Sequence, residues 1–190
     1  MKNFIYFHGY GSNGPDLNNK KVQMFINSFG YNPYWIDATK DYSPISYLES
    51  FNQVVDDNNL DLNETIFVGT SLGGYWAREF CLKSSYGFSP FIIFNPVIDP
   101  YKTLGKLRVP EKRFYMNFHG ELPTSDIDLV MNHPGLVILA ENDPIVSSKE
   151  SKQFFEGKNQ VVVLEGESDH RLLNRDLYEK IVRSFLDHLL

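Results

Sequence analysis

Of 190 residues only one is cysteine, Cys81, so no disulfide can form within the chain, as suits a reducing compartment. Long apolar runs are missing too: no window approaches the roughly 18 residues that a spanning helix needs. Positive charge is in short supply, with 18 Lys and Arg against 24 Asp and Glu, a net charge of −6. No basic stripe stands ready to neutralise phosphates, which argues against nucleic acid and anionic membrane as partners. A sum over the chain still leaves room for a local basic patch. Internal repeats, low-complexity tracts and linkers are absent, so one domain spanning 1–190 is expected, long enough to bury about 70% of its unfolded surface. The opening MKNFIYFHGYG carries one Lys and only a short apolar run, less than a signal-peptide core, and reads as a first strand. The expected address is the cytoplasm.

Short apolar runs alternate with segments of helical period. The strand candidates are 3–8, 32–36, 65–69, 91–95, 135–140 and 160–164. Ile45, Leu48, Phe51 and Val55 share one helical face, as do Leu177, Ile181, Phe185 and Leu189. The strands are continuous rather than alternating (FIIF, LVILA, VVVL), the pattern of a sheet covered by helices on both faces. The fold class is therefore α/β, a doubly wound, mostly parallel sheet. Active groups of such sheets gather beyond the carboxyl ends of the strands. Residues 100–134, rich in Pro, Gly and charge, give no clear element and read as an irregular connection or a partial lid.

Residues 65–78, TIFVGTSLGGYWAR, place G-x-S-x-G between a strand and a helix-compatible segment. This is the setting of a nucleophile elbow, where a serine sits on a sharp turn. Strand and helix pass so close there that side chains at Gly69 and Gly73 would collide. The turn exposes the Ser71 hydroxyl at a helix N-terminus, where the Leu72 N–H and the helix dipole can stabilise an oxyanion. A glycine turn followed by a helix-capping serine is the bland alternative.

A nucleophilic serine needs a base, and the base an orienting carboxylate, on this fold in the order Ser, Asp or Glu, His. Asp143 in the END turn after LVILA and His170 in the loop after VVVL supply that order. Glu141, Asp99 and Asp169 are the other carboxylates in range, and a turn-shaping role before Pro144 is the bland alternative for Asp143. His8, His119, His133 and His188 fit the base worse by position.

The glycines of HGYGSNG, Gly9, Gly11 and Gly14, also spell the dinucleotide fingerprint G-x-G-x-x-G, with Asp37 placed to hold a ribose. But polar PDLNNKK follows where a small apolar helix should begin, which argues against a dinucleotide, and the serine-hydrolase reading expects no cofactor and no metal. The better reading makes the Tyr10 N–H a second oxyanion donor beside Leu72. Tyr10, Asn95 and Tyr75 are candidates for lining the substrate pocket, each with an equal claim to a packing role. Trp76 reads as core.

IYFHGYGSN, GTSLGGYWA, FNPVIDPY, ENDPIV and SDH together resemble the small bacterial esterases of the YqiA/YcfP type within the α/β-hydrolase superfamily, over nearly the whole chain. The match is loose between Lys102 and His133. The resemblance implies a compact hydrolase without a large cap. It would act on small-molecule carboxylic esters or thioesters through Ser71, Asp143 and His170, with Tyr10 and Leu72 as the oxyanion hole. A catalytically silent ligand-binding protein on the same fold is the rival of another class.

Overall fold

The expected runs pair into one six-stranded sheet in the order β2-β1-β3-β4-β5-β6, described by a computed structural model covering residues 3–12, 24–83, 89–118 and 133–189. The strands are β1 (Asn3–Phe7), β2 (Asn32–Ile36), β3 (Thr65–Thr70), β4 (Phe91–Phe94), β5 (Gly135–Ala140) and β6 (Gln160–Leu164). Every adjacent pair is parallel, so the sheet is wholly rather than mostly so.

Strand side chains alternate between two cores. Ile5, Phe7, Phe67, Ile93, Val137 and Leu139 face one side; Phe4, Tyr6, Ile66, Val68, Ile92 and Ile138 face the other. Both sides are apolar because helices cover both, which is why the strands carry no polar alternation. The first core is covered by α1 (Pro44–Asn58), α2 (Leu72–Lys83), α3 (Pro100–Lys106) and α4 (Ser148–Phe155), the second by α5 (Glu179–Asp187) and the segment around Ile26. Ser43 caps α1 by accepting the Ser46 N–H, Pro44 occupies its first turn, and Asn59 ends it in a left-handed conformation.

Two helices bury a stripe that keeps part of the expected one, Phe51 and Val55 on the first and Ile181, Phe185 and Leu189 on the last, and adds a tyrosine beside it. On α1 Tyr47 and Phe51 are buried, with Val54 and Val55 beside them, while Ile45 and Leu48 are 66% and 48% exposed. At the carboxyl terminus Tyr178, Val182, Phe185 and Leu186 are buried and Leu177 is exposed. Both stripes have helical spacing. The buried ones each carry a tyrosine whose hydroxyl finds a backbone acceptor inside, Tyr47 on the His8 carbonyl at 3.0 Å and Tyr178 on that of Leu172 at 2.9 Å. An aromatic ring with a satisfied polar tip outweighs an aliphatic alternative one position away.

Within the stretch that gave no clear element, α3 is followed by a 3-10 segment, Pro110–Phe118, whose Tyr115 is wholly buried. That part is body of the domain; residues 119–132, the rest of the stretch expected as a connection or partial lid, lie outside those described. No helix among the described residues is long and apolar enough to cross a membrane.

Candidate active site

Strand order reverses direction between β1 and β3, and the carboxyl-end loops of those two strands meet. Ser71 follows β3 with φ +57°, a left-handed conformation that a non-glycine residue seldom adopts. The turn is held by its backbone. The Ser71 N–H donates to the Phe94 carbonyl at 3.0 Å, and its carbonyl accepts from the Val97 N–H at 3.0 Å. The expected crowding is real. A Cβ on Gly73 would lie 2.0 Å from the Phe7 oxygen, and one on Gly69 would lie 2.2 Å from the Gly73 oxygen. These obstacles are backbone and cannot rotate away. Gly73→Ala should therefore cost about 3 kcal/mol or more of stability, read from a denaturant midpoint.

His170 and Asp143 meet across two loops. His170 Nδ1 lies 2.6 Å from Asp143 Oδ2, with the carboxylate side chain 1% and the imidazole 13% exposed. The other oxygen, Oδ1, accepts the N–H groups of Ile145 at 2.7 Å and Val146 at 3.0 Å. The turn before α4 thus aims the carboxylate at the ring. The competing acids have other work. Glu141 accepts the Gly166 N–H, Asp99 caps α3 through the Lys102 N–H, and Asp169 accepts the N–H groups of Arg171 and Leu173.

Ser71 and His170 line one small cavity, about 50 Å³, together with Tyr10, Thr70, Arg171 and Arg175. A larger cavity of about 280 Å³ opens between α3 and α4, but neither Ser71 nor His170 lines it. The Leu72 N–H belongs to the first turn of α2, whose amides have no acceptor within the helix. Gly9 packs on the elbow: a Cβ there would come 3.2 Å from that of Ser71. Asp37 accepts the N–H and hydroxyl of Thr39, which hold its carboxyl below its ordinary range. It shapes the turn after β2, while Gly14 lies outside the described residues. Among those residues no cluster of His, Cys, Asp and Glu has the makings of a metal site.

Asn95, expected at the pocket, is 1% exposed and serves the scaffold instead. Its Oδ1 accepts the Ala140 N–H at 2.7 Å and its Nδ2 donates to the His170 carbonyl at 2.9 Å, tying the histidine loop to β4 and β5. Asn95→Asp would set a carboxylate oxygen against that carbonyl. It should lower the melting temperature and displace the His170 loop. Tyr75 is buried beside Trp76, whose place in the core is as expected. Of the remaining histidines, His133 packs on Cys81 and Ser89, His188 contacts the Ser184 carbonyl, and His119 lies outside the described residues.

The support of the Tyr10 loop was not readable from motifs. Buried His8 accepts the Ala38 N–H on Nε2 at 3.1 Å, so Nδ1 carries the proton and donates to the Gly9 carbonyl at 3.0 Å. The Tyr10 hydroxyl donates to Glu111 at 3.0 Å, and its ring lies 4.8 Å from that of Tyr42. Burial and that carboxylate push the Tyr10 phenol above its ordinary pKa. The Tyr42 hydroxyl in turn donates to the Ser12 carbonyl at 3.0 Å. These partners come from elements far apart in sequence, and no local pattern announces them.

Comparison with known proteins agrees with this fold. The model of a family described as "Uncharacterised protein family (UPF0227)" matches residues 3–186. The UPF0227 protein YcfP of Salmonella paratyphi A is 28% identical over 197 residues, covering 95% of this chain and 97% of its own. YcfP of Escherichia coli strain HS is 28% identical over 193 residues with the same coverage. Among solved structures, Est1E from Butyrivibrio proteoclasticus is similar at a TM-score of 0.75 and 17% identity, over 99% of this chain and 88% of that one. The Pyrococcus furiosus esterase Pf2001 is similar at a TM-score of 0.69 and 18% identity, over 98% and 83%. The fold is that of the α/β hydrolases, in one compact domain.

Proposed function

We propose that this chain, which belongs to the UPF0227 family, is a serine hydrolase of carboxylic esters. The observation that carries the reading is the 2.6 Å His170–Asp143 pair opening onto the cavity of a serine held at φ +57°. Esterases among the proteins of similar fold support the same class.

In this reading Ser71 Oγ attacks the ester carbonyl while His170 Nε2 takes its proton. The Tyr10 and Leu72 amides hold the oxyanion of the tetrahedral intermediate. Asp143 fixes the proton on Nδ1, leaving Nε2 as the basic nitrogen. His170 then hands the proton to the departing alkoxide, and an acyl group stays on Ser71. Water, deprotonated by the same nitrogen, attacks the acyl carbonyl and releases the acid. No step calls for a metal or cofactor, so EDTA should leave turnover unchanged. The same groups would cleave a thioester, and rates on an acyl-CoA against a simple ester separate the two.

The test is intact-mass and peptide mapping after treatment with a fluorophosphonate, on folded and denatured protein. A single adduct on Ser71 in the folded protein alone is expected. No adduct would remove the hydrolase reading and leave a ligand-binding protein on this fold.

A further inference from the structure

The cavity shared by Ser71 and His170 has a charge opposite to that of the protein around it. In a chain of net charge −6, the residues lining it include Arg171 and Arg175 and no acid. The carboxylates around it have other partners, Asp143 facing His170 Nδ1 at 2.6 Å. Asp169 is turned into its own loop, and Glu111 accepts the Tyr10 hydroxyl. Among the described residues neither arginine forms an ion pair with a carboxylate.

Arg175 is built into place. Its guanidinium carbon lies 5.6 Å from the centre of the Phe25 ring and 5.8 Å from that of Tyr178, and Nη1 donates to the Tyr178 hydroxyl. Its Nε–H is buried and, among the described residues, has no hydrogen-bond partner. A guanidinium keeps its charge at all working pH, and a buried unpaired donor on it is costly. Its fork of donors matches a carboxylate or phosphate. A cleft that carries two cations with no counter-charge among the described residues also concentrates anions.

We infer that the substrate of Ser71 carries an anionic group, a carboxylate or a phosphate, which lies against Arg175 and Arg171. With a cavity of only about 50 Å³, that group sits within a few bonds of the scissile carbonyl. This inference rests on the hydrolase reading for its chemistry, though not for its binding.

Two matched pairs of esters test it. For the acyl side, mono-para-nitrophenyl succinate is compared with para-nitrophenyl pentanoate. For the alcohol side, the butyrate ester of β-hydroxypropionate is compared with butyl butyrate. In at least one pair the anionic member should have a kcat/KM roughly 10- to 100-fold higher at low salt, the worth of a charge-assisted hydrogen bond. Raised ionic strength should erode that preference. Arg171→Gln, at an exposed position, and Arg175→Lys, which keeps the charge but loses the fork, should each reduce it. A phosphonate analogue of the preferred ester distinguishes a phosphate from a carboxylate requirement. Equal or better turnover of the neutral member in both pairs would overturn the inference while leaving the hydrolase reading intact. So would a preference unchanged in both variants. Should no ester turn over, the same pairs are titrated into Ser71→Ala protein by calorimetry. Tighter binding of the anionic member supports the arginine site even then, and equal binding overturns it.

Discussion

Ser71→Ala is expected to lower ester turnover by about 10⁶-fold, the loss seen when a triad nucleophile is removed. It should barely move the melting temperature. Alanine and serine suffer the same strain at φ +57°, and the bonds that hold the turn run through the Ser71 backbone rather than its hydroxyl. Ser71→Gly separates the two aspects of the residue. A left-handed conformation costs a non-glycine residue about 1–2 kcal/mol, and glycine offsets part of that relief with about 0.5–1 kcal/mol of extra unfolded-state entropy. The glycine variant should therefore be equally inactive yet up to about 1 kcal/mol more stable than Ser71→Ala. That is a rise of roughly 2–4 °C for a domain of this size, measured by scanning calorimetry. An alanine variant that kept more than about one part in a hundred of the parent rate would rule Ser71 out as the nucleophile.

The second large effect is at Asp143, where the structure specifies which failure to expect. Oδ1 accepts two backbone N–H groups, from Ile145 and Val146, and Oδ2 faces His170 Nδ1. In Asp143→Asn the amide oxygen must take the place of Oδ1, since an NH₂ group cannot accept from those donors. The NH₂ group then points at Nδ1 and donates to it. His170 is driven to the tautomer with its proton on Nε2, where it cannot take one from Ser71. A fall of about 10⁴-fold in kcat is expected with the fold retained, as for a triad aspartate replaced by asparagine. Proton chemical shifts of the His170 ring report the tautomer directly. A small loss of rate with the proton still on Nδ1 would show that orientation by Asp143 is not what the base needs.

The sheet was legible because burial on both faces leaves a plain trace, runs such as FIIF and LVILA that admit no other element of that length. Ser71, Asp143 and His170 were legible for a related reason. Elbow, acid turn and histidine loop each follow an apolar strand at the edge where a parallel sheet gathers its loops. On α1 and α5, Phe51, Val55, Ile181 and Phe185 pack inward as expected; that Tyr47 and Tyr178 displace Leu48 and Leu177 was not legible, since the tyrosine hydroxyls' acceptors on His8 and Leu172 decide it. Nor was the role of Asn95, whose position at the end of β4 is a site position by topology. It becomes a scaffold position only when its amide meets Ala140 and His170.

The sequence by itself determined the α/β class, the strand set and the order of the three polar residues, because these depend on local periodicity and on chirality-limited connections. Only the tertiary structure decided which carboxylate faces His170, that His8 is a clamp on the Gly9 carbonyl, and that two arginines line a cavity in an acidic protein. The His170–Asp143 pair joins residues 27 positions apart, the Ala38 N–H that orients His8 lies 30 positions from it, and the cavity gathers residues from the loops after β1, β3 and β6; spacing along a chain does not encode which way a side chain turns once such loops close.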